Sequence, residues 1–564
     1  MEKRAILAIV LSLLVVVVWS FVFAPPSSPP PTDVPPTPQQ GRGTSPETPR
    51  PSGSSAPQGV SETPAPAPGA SSGAVRETIV TVDTGAAHLA LSSLGAGVKA
   101  VQLHDYRVTL DKGAPPITIA PVQGLSGIPL TAELRLGQRV TSLENLAFVP
   151  STPAVALSQK QPEGTVTFRG QISPGVTVLR TFQFHHNSYD FTVSTQIEGL
   201  SPTGEASLAL LWGPGLLQQA EENSGRQGET KAVPRGLVRG KIFHEAPEKV
   251  GETKTWDGDV TWIALADTYF AVALIPQEPT ANAALVRRLR EDALEVSLRT
   301  PLGGEQFTQT VRVYVGPKKQ YILQAVHPSL DRLIDLGFFS PLARPMMQLL
   351  LLINAAVHNF GITIILVTIL IKIVFWPLTQ KSYTSMQAMQ KLQPRMQELQ
   401  VVYKDDKPAL NRAMMQLYRD NKVNPMGGCL PMLIQIPFFF AFYNALLYSI
   451  ELRHAPFICW ENKLFWVGRG ICDLSVYDPS YVTPLLMGVT MFLQQKMTPT
   501  VGDPTQAKIM QFMPLIFLFF FLNAPAGLVI YWLMNNVLSI VQQVYVNRSR
   551  RLQTPAAETA GSGS

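Results

Sequence analysis

Three regimes of hydrophobic patterning follow one another along the chain. The first is an unbroken run, Ala5–Ala24, of twenty uncharged residues. As a helix it rises ~30 Å, enough to cross a hydrocarbon core. From about Arg76 to Tyr314 the pattern becomes period two, as in Thr78-Ile79-Val80-Thr81-Val82 and Val176-Thr177-Val178-Leu179-Arg180-Thr181-Phe182. Gly, Pro and Asn turns separate the runs, which predicts a large antiparallel β-sandwich over 76–316 with one wet face per sheet. Beyond Pro317 the period turns helical. Leu330, Leu333, Ile334 and Leu336 lead through Phe338-Phe339 to Met346, Met347, Leu349, Leu350 and Ile353, so 317–358 reads as a linker and an amphipathic interfacial helix.

Five further hydrophobic segments follow. They predict a second span at 359–378, a third at 429–450, a fourth at 481–495, a fifth at 508–522 and a sixth at 527–546. Asn523-Ala524-Pro525-Ala526-Gly527 breaks the last two into a hairpin. Between the second and third spans, 379–428 reads as a helical hairpin. Met386, Met389, Leu392, Met396 and Leu399 recur on one arm, and Leu410, Met414, Leu417 and Tyr418 on the other. Lys404-Asp405-Asp406-Lys407-Pro408 supplies its turn, Pro394 is expected to kink the first arm, and the flexible thioethers suit a surface that accepts many partners.

Composition agrees with a membrane protein. Charged residues are 15% of the 564 and hydrophobic ones 46%, which excludes a wholly soluble enzyme. Residues 25–75 hold fifteen prolines among Ser, Thr, Gly and Ala, a composition that predicts a disordered tether. A cleaved signal peptide is the rival reading of 1–24, since Val22-Phe23-Ala24 is a passable small-residue ending; the length of the run and Pro25-Pro26 favour an uncleaved anchor. Met1-Glu2-Lys3-Arg4 puts the N-terminus in the cytosol, and the loop 379–428, with eight Lys/Arg against four acids, belongs on the same side. So do the loop 496–507 and the tail 547–564 with Arg548, Arg550 and Arg551, which leaves 76–316 and the loop 451–480 outside. No nucleophile elbow, His-Glu-x-x-His or phosphate loop occurs, and three scattered cysteines make neither a disulfide framework nor a zinc site. No catalytic residue, cofactor, metal or specific nucleic acid is expected.

One charge stands out within a span. Lys372 precedes Pro377 by five positions, roughly 8 Å inside the cytosolic end of its expected helix. A cation at a helix centre costs ~2.5–3.5 kcal/mol on insertion scales. Either its stem snorkels to the headgroups, or it is the positive pole of a water-filled cavity. Thr368 lies one turn earlier on the same face, and Gln435, Asn444, Thr490, Gln494, Gln495, Asn535, Asn536, Gln542 and Gln543 place polar groups in the other spans. None is an acid, so a proton or cation relay lacks its carboxylates. The short fourth and fifth spans favour a locally thinned bilayer.

These residues resemble the YidC/Oxa/Alb membrane-protein insertases, in the Gram-negative form with a large periplasmic domain. The resemblance rests on Pro377-Leu378-Thr379, Tyr383-Thr384-Ser385-Met386, Lys422-Val423-Asn424-Pro425-Met426-Gly427-Gly428-Cys429, Gln435-Ile436-Pro437, Phe512-Met513-Pro514 and Gly527-Leu528-Val529-Ile530-Tyr531. It implies a polytopic α-helical inner-membrane protein: six spans, a five-helix core with a cytosol-open hydrophilic groove, and a periplasmic antiparallel β super-sandwich. Lys372 stands where many relatives carry Arg, with Thr368 and Gln435 as its polar stripe. The resemblance further implies client contacts at Ile436, Phe439, Phe520, Tyr531 and Trp532, the last departing from a Tyr common in relatives. The implied activity is insertion and folding of nascent inner-membrane proteins without ATP hydrolysis, alone or with the Sec translocon and a translating ribosome. Cys459 and Cys472 fall outside the family pattern, and the sequence leaves open whether they pair across the exterior loop. Two other classes compete: a solute transporter or channel, which predicts repeats and intramembrane acids, and an anchored periplasmic glycan-binding or glycan-active protein, which predicts a carboxylate pair in the sandwich.

Overall fold

The structure is a computed structural model that describes residues 77–553 except 112, 122–124, 126, 201–203, 217–231, 279–280, 291–292, 304–305, 405, 424–429, 460–469 and 498–503. The expected anchor at 1–24, the linker at 25–75, the motif residues from Asn424 to Cys429 and the tail beyond Gln553 lie outside the described residues.

The period-two region forms twenty strands in sheets of five, nine and six among the described residues. Alternation sets the inward face. In the strand Val176–His185, Val178, Arg180, Phe182 and Phe184 are buried, and the rings of Phe168, Phe182, Phe184 and Phe191 pack together. Arg180 shares this apolar face because its guanidinium donates to the carbonyls of Gly95 (2.8 Å), Ala96 (3.0 Å) and Leu130 (2.8 Å). Burial pushes its pKa down to about 9. The expectation of purely antiparallel sheets is corrected at one edge, where Thr81–Asp83 pairs parallel with Ala154–Ala156. The long connection between those strands permits a parallel pairing that a hairpin cannot make.

Two strands, Val260–Ala266 and Phe270–Glu278, are almost continuously apolar, and both their faces are covered. Ile263, Leu265, Phe270, Val272 and Leu274 face the sandwich core. Trp262, Ala264, Ala266, Ala271, Ala273 and Ile275 turn the other way onto Leu323, Leu330 and Leu333. This second core continues without a break into Phe442, Leu452, Leu474, Ile530 and Tyr531 of the helical region. The back of a sheet and the helices therefore share one hydrophobic interior.

The helices are α1 (Gln320–Val326), α2 (Ser340–Val357), α3 (Phe360–Val402), α4 (Lys407–Asp420), α5 (Leu430–Leu447), α6 (Val482–Met497), α7 (Pro504–Phe521) and α8 (Ala526–Gln553). The Asn359 side chain caps α3 by accepting from the Ile362 N–H (3.1 Å), and Asp406 caps α4 by accepting from the Ala409 N–H (2.8 Å). The α3 boundary is a correction. The expected span and first hairpin arm are one 43-residue helix that runs through Pro377 and Pro394. Around Pro377 the Thr379 hydroxyl donates to the Phe375 and Trp376 carbonyls (both 3.0 Å), and Gln542 also donates to Trp376 (3.2 Å). Met389, Leu392, Met396 and Tyr418 of α3 and α4 are buried together against Met414 and Leu417.

Among the described residues, two helices have the length and hydropathy to cross a membrane: Phe360–Val402 and the Ala526–Arg548 part of α8. Leu433–Leu447 and Gln511–Phe521 are shorter apolar helices. Between α5 and α6, Cys459 and Cys472 form a disulfide with a Cα–Cα distance of 4.6 Å.

Candidate functional site

The polar residues of α8 recur every three or four positions, at Asn535, Asn536, Ser539, Gln542 and Gln543, and so form one stripe. That stripe packs against α3. Lys372, only 7% exposed, points its Nζ into the helix bundle and donates to Ser539 Oγ (2.8 Å). Ser539 in turn donates to the Asn535 carbonyl (2.7 Å), and the Tyr383 hydroxyl meets the same Ser539 side chain. The amine is thus turned inward, which contradicts the snorkelling alternative. No neighbouring charge acts on it among the described residues.

Further rungs join the two helices toward their C-terminal ends. Gln542 Nε2 donates to Thr379 Oγ1 (2.7 Å), and Gln387 bonds Asn547. Gln543 Nε2 donates to the Met497 carbonyl (2.6 Å), which has no partner within α6 because it lies at that helix's end. Gln435 on α5 joins the network by donating to Asn535 Oδ1 (3.2 Å). Lys372 and Gln435 are therefore linked through Ser539 and Asn535. Thr368 does not join them, since its hydroxyl is spent on the Ile364 carbonyl (2.6 Å) of its own helix. Ser539 escaped the sequence reading, although its spacing four after Asn535 and three before Gln542 puts it on their face.

Among the described residues, several buried atoms of this seam have no hydrogen-bond partner: Asn536 Nδ2, Gln542 Oε1, Gln543 Oε1 and Trp532 Nε1. An unsatisfied buried polar group costs ~1–3 kcal/mol. Together with the Lys372 ammonium they give this interior more polar capacity than the described residues satisfy. Chemically it offers donors, acceptors and one positive charge to a polar guest, water or peptide.

An aromatic cluster adjoins the seam. Phe439 meets Trp532 edge-on (4.8 Å between centroids) and stacks on Tyr531 (6.3 Å). Trp532 also packs on Phe521 (5.3 Å) and Phe517 (5.7 Å). Tyr531 is 2% exposed and backs the cluster rather than lining a surface. Ile436 is half-buried on α5, one turn before Phe439. Phe520 is 70% exposed, beside the exposed Phe519 and Ile516, so Phe517 and Phe521 are the α7 rings at Trp532. The structure brings together Phe439, Tyr531 and Trp532, but not Phe520.

Two family models match the chain. The one described as 60Kd inner membrane protein covers residues 352–553, and the YidC periplasmic domain covers 79–349. The membrane protein insertase YidC of Syntrophus aciditrophicus is 40% identical over 97% of this chain and 100% of its own length. That of Nitratidesulfovibrio vulgaris is 40% identical over 97% of this chain and 99% of its own. Among solved structures, a putative aldose 1-epimerase from Escherichia coli K12 aligns with 43% of this chain and 99% of its own at 10% identity and a TM-score of 0.26, too slight a likeness to bear on fold or function.

Proposed function

The chain belongs to the YidC family of membrane protein insertases, and on that premise we propose how its own residues carry out insertion. The seam between α3 and α8 is the hydrophilic groove. A client's polar exterior segment enters it from the cytosol, is solvated by the Gln435–Asn535–Ser539 network, and is drawn by Lys372 when it carries acidic residues. The client's apolar stretch partitions into lipid past α5 and α7, where Ile436 and Phe439 on one side and the exposed Phe520 on the other offer apolar contact. Hydrophobic transfer drives the step, and the membrane potential adds ~2.3 kcal/mol per charge per 100 mV. No nucleotide is hydrolysed. The single observation behind this reading is the buried Lys372 ammonium turned onto Ser539, beside polar atoms that have no partner of their own.

The topology in this reading has six spans: the 1–24 anchor, the N-terminal part of α3, and α5 to α8. Both termini and the α3–α4 hairpin are cytosolic, and the sheets are periplasmic. The Cys459–Cys472 disulfide supports an exterior loop 451–480, because disulfides persist in oxidising compartments. The Sec translocon and the translating ribosome are proposed partners, and the hairpin, whose Met415 is exposed, is proposed to meet the emerging client.

Photocrosslinking tests the path. A photoreactive residue at 372 or 436 is expected to capture a nascent client during insertion, whereas one at Leu485, exposed on the outer face of α6, captures little. Capture at Leu485 with none at 372 would overturn the groove.

A further inference from the structure

The loop 451–480 makes contacts out of proportion to its length. Its 3₁₀ turn buries Ile450 and Leu452. Arg453 donates to the Arg107 carbonyl (2.7 Å) at the end of the strand Val98–Arg107, tying the loop to the sheets. A short ladder follows, with Phe457 N bonded to the Ile471 carbonyl (3.0 Å), Leu474 N to the Ala455 carbonyl (3.1 Å), and a bridge between Ile458 and Ile471.

From this ladder the loop grips the first turns of three helices. Asn359, the α3 cap, donates to the Phe457 carbonyl (3.0 Å), and the Phe457 ring lies where a Cβ on Gly361 would fall. The first amides of α8, Ala526 and Gly527, donate to the Val476 (2.7 Å) and Leu474 (3.0 Å) carbonyls. Asp478 accepts from the Thr483 N–H (2.8 Å) and hydroxyl (2.7 Å) at the start of α6. The disulfide joins the two arms of the ladder one residue beyond its Ile458–Ile471 bridge, with Cys459 exposed and Cys472 half-buried.

We propose that Cys459 and Cys472 are an oxidation site whose closure clamps the outer ends of α3 and α8 together, sealing the polar seam at that end. The inference rests on the reading that this loop faces the exterior. The reaction is a dithiol–disulfide exchange with a disulfide-bearing oxidoreductase of that compartment. The exposed Cys459 thiolate attacks the oxidant's disulfide, and the Cys472 thiolate then displaces the oxidant from the mixed disulfide. One S–S bond forms in this chain and one breaks in the oxidant. Two electrons and the two thiol protons pass to the oxidant, which leaves as a dithiol.

Two measurements on the full chain test it. Thiol counting by mass-tag alkylation of denatured protein is expected to give one tag, at Cys429, after expression in ordinary cells, and three tags from cells lacking exterior thiol oxidoreductases. Three tags from ordinary cells, or one tag from both, would overturn the oxidation step. Amide hydrogen exchange of the purified protein, read with no client present, tests the clamp separately from insertion. Reduction of the folded wild type is expected to speed exchange about tenfold in 471–476 and 526–530 while the strands at 163–198 stay unchanged. The Cys459→Ser/Cys472→Ser variant should match the reduced wild type. Equal exchange before and after reduction would show that the bond clamps nothing.

Discussion

At the scale of single residues, two buried cations act in opposite ways. Arg180 is a structural staple, holding the adjacent Gly95 and Ala96 carbonyls and that of Leu130 inside the sandwich. Removing it leaves those acceptors buried and unpaired, so Arg180→Ala is expected to lower stability by about 3 kcal/mol or more, read by urea unfolding of the full chain. Alternation made Arg180 legible, since it shares a register with Val178 and Phe182. What it binds was not, because the carbonyls come from residues 84 and 85 positions away and from Leu130. Lys372 has one hydroxyl partner and, among the described residues, no balancing charge, so its burial costs stability, and in the proposed reading it serves insertion. Replacing a buried charge by an apolar side chain of similar length is often neutral or stabilising. Lys372→Met is therefore expected to leave the thermal midpoint unchanged or raised while lowering insertion of acidic-tailed clients. A fall in the midpoint would mark Lys372 as a structural residue instead. Phe520 marks the limit of periodicity: the run Leu515–Phe521 is apolar all round, so the pattern carries no phase, and only packing selects Phe517 and Phe521 to meet Trp532.

At the scale of elements, helix existence was legible and helix extent was not. The change from apolar to polar residues at Pro377 marks where α3 changes surroundings, not where it ends. The hairpin arms, their thioether faces and the Asn523–Gly527 break follow directly from spacing and turn residues. Gly361 shows how tightly α3 is seated. An added Cβ there meets Phe457 side-chain atoms at 2.1–2.6 Å, including its Cβ, so the whole side chain must move. Gly361→Ala is expected to lose about 1–3 kcal/mol despite the better helix propensity of alanine, measured as a shift in the thermal unfolding midpoint. A stabilised variant would mean that the α3 start is loosely held.

At the scale of the whole molecule, the sheets and the helices are joined through one interior, in which Ala271 and Ala273 of a sheet share a core with Ile530 and Tyr531 of α8. Period-two and helical patterning placed both regions but not this junction, because the loop 451–480 that ties them has no periodicity to read. Its geometry comes from backbone bonds between residues far apart in sequence. Above that scaffold the function depends on one claim, that an inward-turned positive charge draws the client's polar segment into the seam. Reversing that charge is its most direct test: a Lys372→Glu chain in proteoliposomes, assayed side by side on two clients that differ only in whether the exterior tail is acidic or neutral. The account predicts that the acidic-tailed client falls about tenfold or more in inserted yield, from attraction exchanged for repulsion across a desolvated gap, while the neutral-tailed one stays within about twofold. Equal yields for both clients, matching wild type, would contradict it.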